Sequence, residues 1–306
     1  MKRSFEEEEK DDLAERIALS SGFVSVKDDD NIQVLSIGTG TKCLGGDKDE
    51  RGTQGCLLHD SHAEVIARRA LMRFLYEEIL NENNSILIKQ EKNKFYLNKS
   101  ICLYLFVSYP PCELAAYVSD PIKRPKFEHK SLNASGEELY LKPGKGFQTT
   151  SLSCTNKINR WIYQGIEGTL LNQLILSPIK LSGLIIQTNT DLSSIFKDIS
   201  VISVKESFDY AWWTGLDPSS SVITADGYPL GQVKKLRHKQ QYANSIAKCS
   251  LFKLYLQLMD NLSSKTTTYA QAKALSSNSL RNQFMLDNPQ WIITDPNIFY
   301  SFTLSS

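Results

Sequence analysis

Asp60-Ser61-His62-Ala63-Glu64-Val65-Ile66-Ala67-Arg68-Arg69 opens the most informative stretch of this 306-residue chain. Val65, Ile66, Leu71, Leu75 and Ile79 recur at helical intervals and predict a helix from His62 to Ile79. Asp60 or Ser61 can cap it. His62 and Glu64 then fall in its first turn, at the positive end of the helix dipole. Two cysteine segments follow. Pro110-Pro111-Cys112 comes after Ile101-Cys102-Leu103-Tyr104-Leu105-Phe106-Val107, an apolar run of the kind that forms a buried central strand. Ser153-Cys154 stands 42 residues beyond Cys112, ahead of a second helix candidate, Lys157 to Leu171.

One His, one Glu two residues later and two downstream Cys are the parts of a zinc-activated water. Zinc takes imidazole nitrogen and thiolate sulfur, and a catalytic site keeps one position open for water. His62, Cys112 and Cys154 supply three ligands in this reading. The metal brings the pKa of its water to about 7. Glu64, near the metal but not bound to it, suits the proton shuttle of a hydrolytic nucleobase deaminase. Either element alone is weak, because His-x-Glu arises by chance and a Cys after a strand is often a small core residue. The compact form of such a site has Cys-x-x-Cys, whereas Cys112 is followed by Glu113-Leu114-Ala115.

The remaining chain reads as α/β. Ile32 to Ile37 and Gly183 to Thr188 are strand candidates, and Asp12 to Ser20 and Ala243 to Leu262 are helix candidates. Asn81 to Asn98 and Lys123 to Gln148 read as loop insertions. With 41% hydrophobic and 23% charged residues, the chain can bury a substantial core; residues 1–306 are expected to form one domain, with about 1–11 a flexible acidic start. No apolar stretch is long enough to span a bilayer. The charged first residues exclude a secretory signal. Cys43, Cys56, Cys102 and Cys249 read as free thiols of a reducing, intracellular compartment, nucleus or cytoplasm.

Net charge is only +1, but its distribution is uneven. Phe5 to Glu15 carries seven acidic residues and one Lys; Pro121 to Arg160 carries eight Lys/Arg against three Glu; Lys234 to Lys253 carries six Lys/Arg and no acid. Such basic runs either bind phosphates or form solvated faces.

The order of these motifs, with Ser36-Ile37-Gly38-Thr39-Gly40-Thr41-Lys42-Cys43, Ser153-Cys154-Thr155-Asn156-Lys157-Ile158-Asn159-Arg160-Trp161 and Gly165-Ile166-Glu167-Gly168-Thr169-Leu170-Leu171, resembles the adenosine deaminases that act on RNA. The likeness spans nearly the whole chain after about residue 12 and is loose in the last third. It implies a cytidine-deaminase-like three-layer α/β/α core, with a central mixed sheet and the zinc site at helix N-termini. It also implies catalytic Glu64, the zinc ligands His62, Cys112 and Cys154, and contacts of Thr41 and Lys42 with the target nucleotide.

A buried inositol hexakisphosphate is a further implication of the resemblance, matched by Arg68, Arg69, Lys157, Arg160, Thr169, Tyr269, Lys273 and Trp291. The match departs at Ser279, Gln283 and Ile293. Lys142-Pro143-Gly144-Lys145-Gly146 resembles the branch that acts on tRNA. Lys145 stands where the duplex-RNA members carry the Glu that fills the gap left by a flipped base; an anticodon-loop base is already unpaired. Lys142 and Lys145 are thus expected to meet phosphate. The resemblance implies conversion of adenosine to inosine 3′ to the anticodon of alanine tRNA, with no DNA or membrane partner. The same chemistry on double-stranded RNA, an RNA-binding protein with structural zinc, and a free-nucleoside deaminase are the alternatives. Lys145, Glu64 and the basic loops respectively speak against them.

Overall fold

The computed structural model describes residues 20–27, 31–45, 53–83, 85–90, 94–114, 128–132, 138–142, 149–196, 198–204, 224–259, 267–276, 279–289, 291 and 302–304. The elements in chain order begin with β1 (Ser20–Lys27), β2 (Asn31–Thr39), β3 (Thr41–Cys43) and β4 (Asp60–His62). Helix α1 (Ala63–Leu80) leads to β5 (Leu87–Gln90), β6 (Lys94–Leu97) and β7 (Ile101–Val107). The hairpin β8 (Glu128–Leu132) and β9 (Glu138–Leu141) precedes α2 (Cys154–Gln164) and α3 (Gly168–Leu171). After β10 (Gly183–Gln187), β11 (Ser200–Val204), β12 (Thr224–Ala225) and β13 (Tyr228–Pro229) come α4 (Lys248–Leu258), α5 (Tyr269–Ala274) and α6 (Ser279–Asp287).

Five strands form the central mixed sheet in the order β11-β10-β7-β1-β2. β7, β10 and β11 run parallel, whereas β1 is antiparallel to both β7 and β2. Period-two alternation turns Ile101, Leu103, Leu105 and Val107 of β7 into the core, with Leu184 and Ile186 beside them. Helix α1 packs on this sheet through β1 and β2. Its Ala67, Leu71 and Leu75 fall four apart on one buried face, joined by Tyr76 and Ile79. Each large side chain buried there contributes about 1.5–3 kcal/mol. The helix lies close to β2 at Gly38, where a Cβ would come within 2.4 Å of the Ala63 carbonyl oxygen and the Ala67 nitrogen. The sheet and one helix layer of the expected three are thus seen among the described residues. On the other face of β7, Cys102 is exposed, and Tyr104 and Phe106 are half-buried.

Several expected boundaries shift. The expected strand Ile32 to Ile37 lies within β2, at the sheet edge, but β1 precedes it and occupies the sheet interior. Its serines hide the pattern: Ser21 is buried but donates its hydroxyl to the Phe106 carbonyl at 2.9 Å. Ser20 belongs to β1, not to a helix; residues 12–19 and the acidic start lie outside the described residues. Asn81 to Asn98 is not a plain loop but carries the β5–β6 hairpin. Lys123 to Gln148 carries β8–β9. The expected helix from Lys157 to Leu171 begins earlier, at Cys154, and breaks at Gly165, whose φ of 94° a helix cannot continue through. Of the expected helix from Ala243 to Leu262, Lys248–Leu258 form α4, and residues 260–262 lie outside the described residues.

Candidate active site

The β3–β4 pair sets the mouth of α1. Thr41 lies opposite His62, and Cys43 opposite Asp60. His62 is the N-cap of α1 by position, yet no side chain caps the helix; Asp60 has another task. Its Oδ1 accepts the His62 amide at 3.1 Å and the His62 Nδ1 at 2.8 Å. With Nδ1 so held, Nε2 is the ring nitrogen left for another partner. The imidazole also hydrogen-bonds Cys112. Cys112 follows the end of β7, and Cys154 opens α2. The Cys154 amide donates to Cys112 Sγ at 3.1 Å, and Cys154 Sγ donates to Glu64 Oε2 at 3.2 Å. His62, Glu64, Cys112 and Cys154 therefore converge at one point between two helix N-termini.

The electrostatics follow from burial. Glu64 is held above the usual carboxylate range by desolvation and then by negative charge on Cys112; Lys142 and His62 oppose this. Desolvation would raise the Cys112 thiol, but the Cys154 hydrogen bond and Lys142 outweigh it and push it well below its ordinary value. Cys154 shifts the other way, through burial and its bond to Cys112. Burial and Lys142 would lower His62, but its bonds to Asp60 and Cys112 and the Asp60 charge raise it to about 9. Among the described residues, no three His, Cys, Asp or Glu side chains stand in a ready metal-holding arrangement. These donors hydrogen-bond one another instead. In chemical type, one imidazole backed by a carboxylate, plus two sulfurs, suits a zinc-like ion.

Lys142 departs from its expected role. Its side chain is only 1% exposed, so it cannot meet RNA phosphate from the surface. Its Nζ lies 2.8 Å from Asp60 Oδ2 and 3.1 Å from Cys154 Sγ. Lys157 Nζ also bonds Asp60 Oδ2, and it reaches Ser151 Oγ at 2.6 Å. Ser151 Oγ in turn donates to Asp60 Oδ2 at 2.8 Å. Burial penalises the Asp60 carboxylate, but Lys142, Lys157 and His62 hold its pKa well below the usual range. Thr41 is half-buried and pairs with His62, whereas Lys42 is exposed and pairs with Ser61. Lys145 lies outside the described residues.

Asp60 and Lys157 also line a cavity of about 460 Å³. Arg68, Arg69, Arg160, Thr169, Tyr269, Lys273 and Trp291 line it too, so all eight residues expected around a polyphosphate converge there. Lys248 and Arg281, missed in the sequence, add two more cations, whereas Ser279 and Gln283 are not part of the wall. Arg281 Nη1 donates to Thr169 Oγ1. Arg68 Nε is buried with no hydrogen-bond partner, and its guanidinium lies 5.1 Å from the Trp161 ring centre. Desolvation lowers Arg68 to about 10 despite the nearby Glu167 carboxylate. Arg160 covers the Phe284 and Trp291 rings at 5.4 and 5.0 Å. Nothing in the sequence separates Lys248 from the other residues of the Lys234–Lys253 basic run or singles out Arg281, the one basic residue of α6; only packing turns them to one cavity.

Replacing Asp60 by Asn leaves buried Lys142 and half-buried Lys157 without their shared carboxylate. The unfolding free energy should fall by about 3–5 kcal/mol. The urea midpoint of the variant against the parent protein measures it.

The adenosine-deaminase (editase) domain family matches residues 36–142 and 122–200 of this chain, more than half its length. The tRNA-specific adenosine deaminase 1 of Drosophila melanogaster is 27% identical over 288 residues, covering 74% of this chain and 71% of the fly protein. The double-stranded RNA-specific editase Adar of the same organism is 28% identical over 183 residues, 50% of this chain but only 27% of that protein. The Homo sapiens tRNA-specific adenosine deaminase 1 is 36% identical over 91 residues, 28% of this chain and 18% of its own length. By the extent of the domain match, and with residues of its motifs gathered at one buried centre, the chain belongs to the adenosine-deaminase (editase) domain family.

Proposed function

We propose that this protein hydrolytically deaminates adenosine to inosine in tRNA, using zinc held by His62, Cys112 and Cys154. The observation that carries this reading is Glu64, a buried carboxylate 3.2 Å from the Cys154 sulfur with a raised proton affinity. A purely structural metal site has no need of such a group, whereas a general acid–base catalyst requires a proton affinity near the working pH. Bound zinc would supply a water that ionises near neutral pH. Glu64 would take one proton from the attacking water and pass it to the ring nitrogen, then carry the second, from the added hydroxyl, to the amino group that departs as ammonia. Asp60 fixes the His62 tautomer through Nδ1, which leaves Nε2 as a ligand. Lys142 favours negative charge on the two sulfurs.

Support for tRNA over duplex RNA comes from the longer likeness to the tRNA-specific fly enzyme, and from Lys145 in the sequence. The adenosine 3′ to the anticodon of alanine tRNA is the target in this reading, and the work is intracellular, in nucleus or cytoplasm. Residues 1–306 are taken as one deaminase domain with a cytidine-deaminase-like core. No described helix is long and apolar enough to cross a membrane.

Inositol hexakisphosphate is the cavity ligand we infer. Among the described residues, seven cations and two carboxylates, Asp60 and Glu167, line that space. So much converging, partly buried positive charge calls for a matching anion. RNA phosphate is expected on the segment after β13. Lys234, Lys235 and Lys239 are exposed there beside Leu230, Val233 and Tyr242, and no acidic residue occurs from Gly227 to Met259.

Glu64→Gln should reduce inosine formation by about 10²–10⁴-fold while zinc content and RNA affinity persist. Sequencing treated total tRNA for A-to-G changes reads both activity and target. Denaturing the purified protein should release inositol hexakisphosphate, and finding no organic phosphate would sink that assignment. Converting Lys234, Lys235 and Lys239 together to Ala should weaken binding similarly across RNA sequences and flatten its salt dependence by about one slope unit per lost phosphate contact. An unchanged slope in a filter-binding titration removes this segment from the interface.

A further inference from the structure

Cys112 and Cys154 are 42 residues apart, yet their sulfurs must keep a fixed separation to serve one centre. In a Cys-x-x-Cys arrangement the short backbone between the cysteines limits that separation. Here contacts between distant segments set it: both sulfurs meet the start of α1, and their own two segments meet each other. Two contacts between those two segments are direct: the Cys154 amide donates to Cys112 Sγ, and Thr155 Oγ1 donates to the Cys112 carbonyl, both at 3.1 Å.

The third runs through Glu113, the residue after Cys112. Ser153 Oγ donates to Glu113 Oε2 at 2.5 Å, and both side chains are buried. Ser153 is also the N-cap of α2, its Oγ accepting the Asn156 amide at 3.1 Å. Its own amide donates to the Tyr140 carbonyl of β9 at 2.8 Å. Glu113 is thus tied to the residue that decides where α2 begins, and so where Cys154 lies. Its backbone has φ 86°, a left-handed conformation that residues with a Cβ rarely adopt. Its side chain is buried as well. Strain of this kind persists where the surroundings over-determine it, and it gathers at functional sites.

We propose that Glu113 is a positioning residue, and that its bond to Ser153 is a latch that sets the separation of the Cys112 and Cys154 sulfurs. What the sulfurs hold rests on the zinc reading above; the latch itself is a property of the chain. Ser153 can donate its one proton to Glu113 or to Asn156 Oδ1 at 2.9 Å. The bond to Glu113 is the shorter of the two and takes that proton. Loss of the carboxylate frees that proton for Asn156 and removes one of the contacts that hold the turn after β7 to α2.

Glu113→Ala and Glu113→Gln test the latch by three readouts. In metal-free protein, amide exchange in the peptide spanning Ser153 to Asn156 should rise about tenfold in Glu113→Ala, with β7 peptides unchanged. In zinc-loaded protein, the alanine variant should lose zinc to a chelator about 10–100-fold more readily, with kcat falling while KM for tRNA holds. Glutamine keeps an acceptor oxygen at similar reach and should recover most of both effects. Unchanged exchange and zinc retention in Glu113→Ala would overturn the latch. So would faster exchange spread evenly through the core, which signals a folding defect alone. If the alanine variant does not fold, Glu113→Gly, which suits the positive φ, decides: faster exchange at Ser153 to Asn156 with readier zinc loss supports the latch, and parental values refute it. Parent protein that takes up no zinc refutes the metal reading, and the exchange comparison still decides the latch.

Discussion

One buried carboxylate organises the centre of this molecule. Asp60 accepts from the His62 amide and ring, from Ser151 and from the ammonium groups of Lys142 and Lys157. Each of those partners belongs to a different part of the chain's business. His62 begins α1, Lys142 follows β9 and lies against Cys154, and Lys157 borders the cationic cavity. Buried ion pairs contribute little net stability, because desolvation offsets most of their attraction; their value here is that they fix geometry. Asp60 gives the imidazole a defined orientation and holds a positive charge against the sulfur.

The same charge balance explains the unusual interior beside that centre. Helices α2, α4, α5 and α6 bring cations to a shared cavity instead of closing it with apolar side chains. Aromatic faces cover some guanidinium groups: Trp161 for Arg68, and Phe284 and Trp291 for Arg160. Such contacts offset part of the desolvation of a cation. Phe284 and Trp291 also belong to a small separate apolar cluster with Leu139, Leu141 and Leu152. The β8–β9 hairpin is thereby fastened to the cavity wall, and Lys142, next after β9, is carried into the interior.

Local periodicity made the backbone of the fold legible. β7 is an uninterrupted apolar run, and α1 repeats its buried residues every fourth position, so both were readable with nearly correct limits. β1 was not, because Ser21 and Ser25 are buried by hydrogen bonding to carbonyls rather than by being apolar. The break after Gln164 was hidden because the apolar spacing continues past Gly165 and only a positive φ ends the helix. Lys142 read as a surface lysine in a Gly- and Pro-rich turn, and nothing near it in sequence announces that Asp60 lies 2.8 Å from its ammonium.

By itself the sequence singled out His62, Glu64, Cys112 and Cys154 as one chemical set. His, Glu and two Cys are residue types with few joint uses, and their order survives any folding. It also determined the central strand and the helix that carries His62 and Glu64, since both patterns are properties of consecutive residues. Only the tertiary structure decided that Cys112 and Cys154 meet across 42 residues, that Lys142 turns inward, and that Lys248 and Arg281 join the cavity. Those outcomes depend on the balance of burial against charge pairing between distant segments. That balance is set by which side chains share a space, and a linear pattern does not contain it.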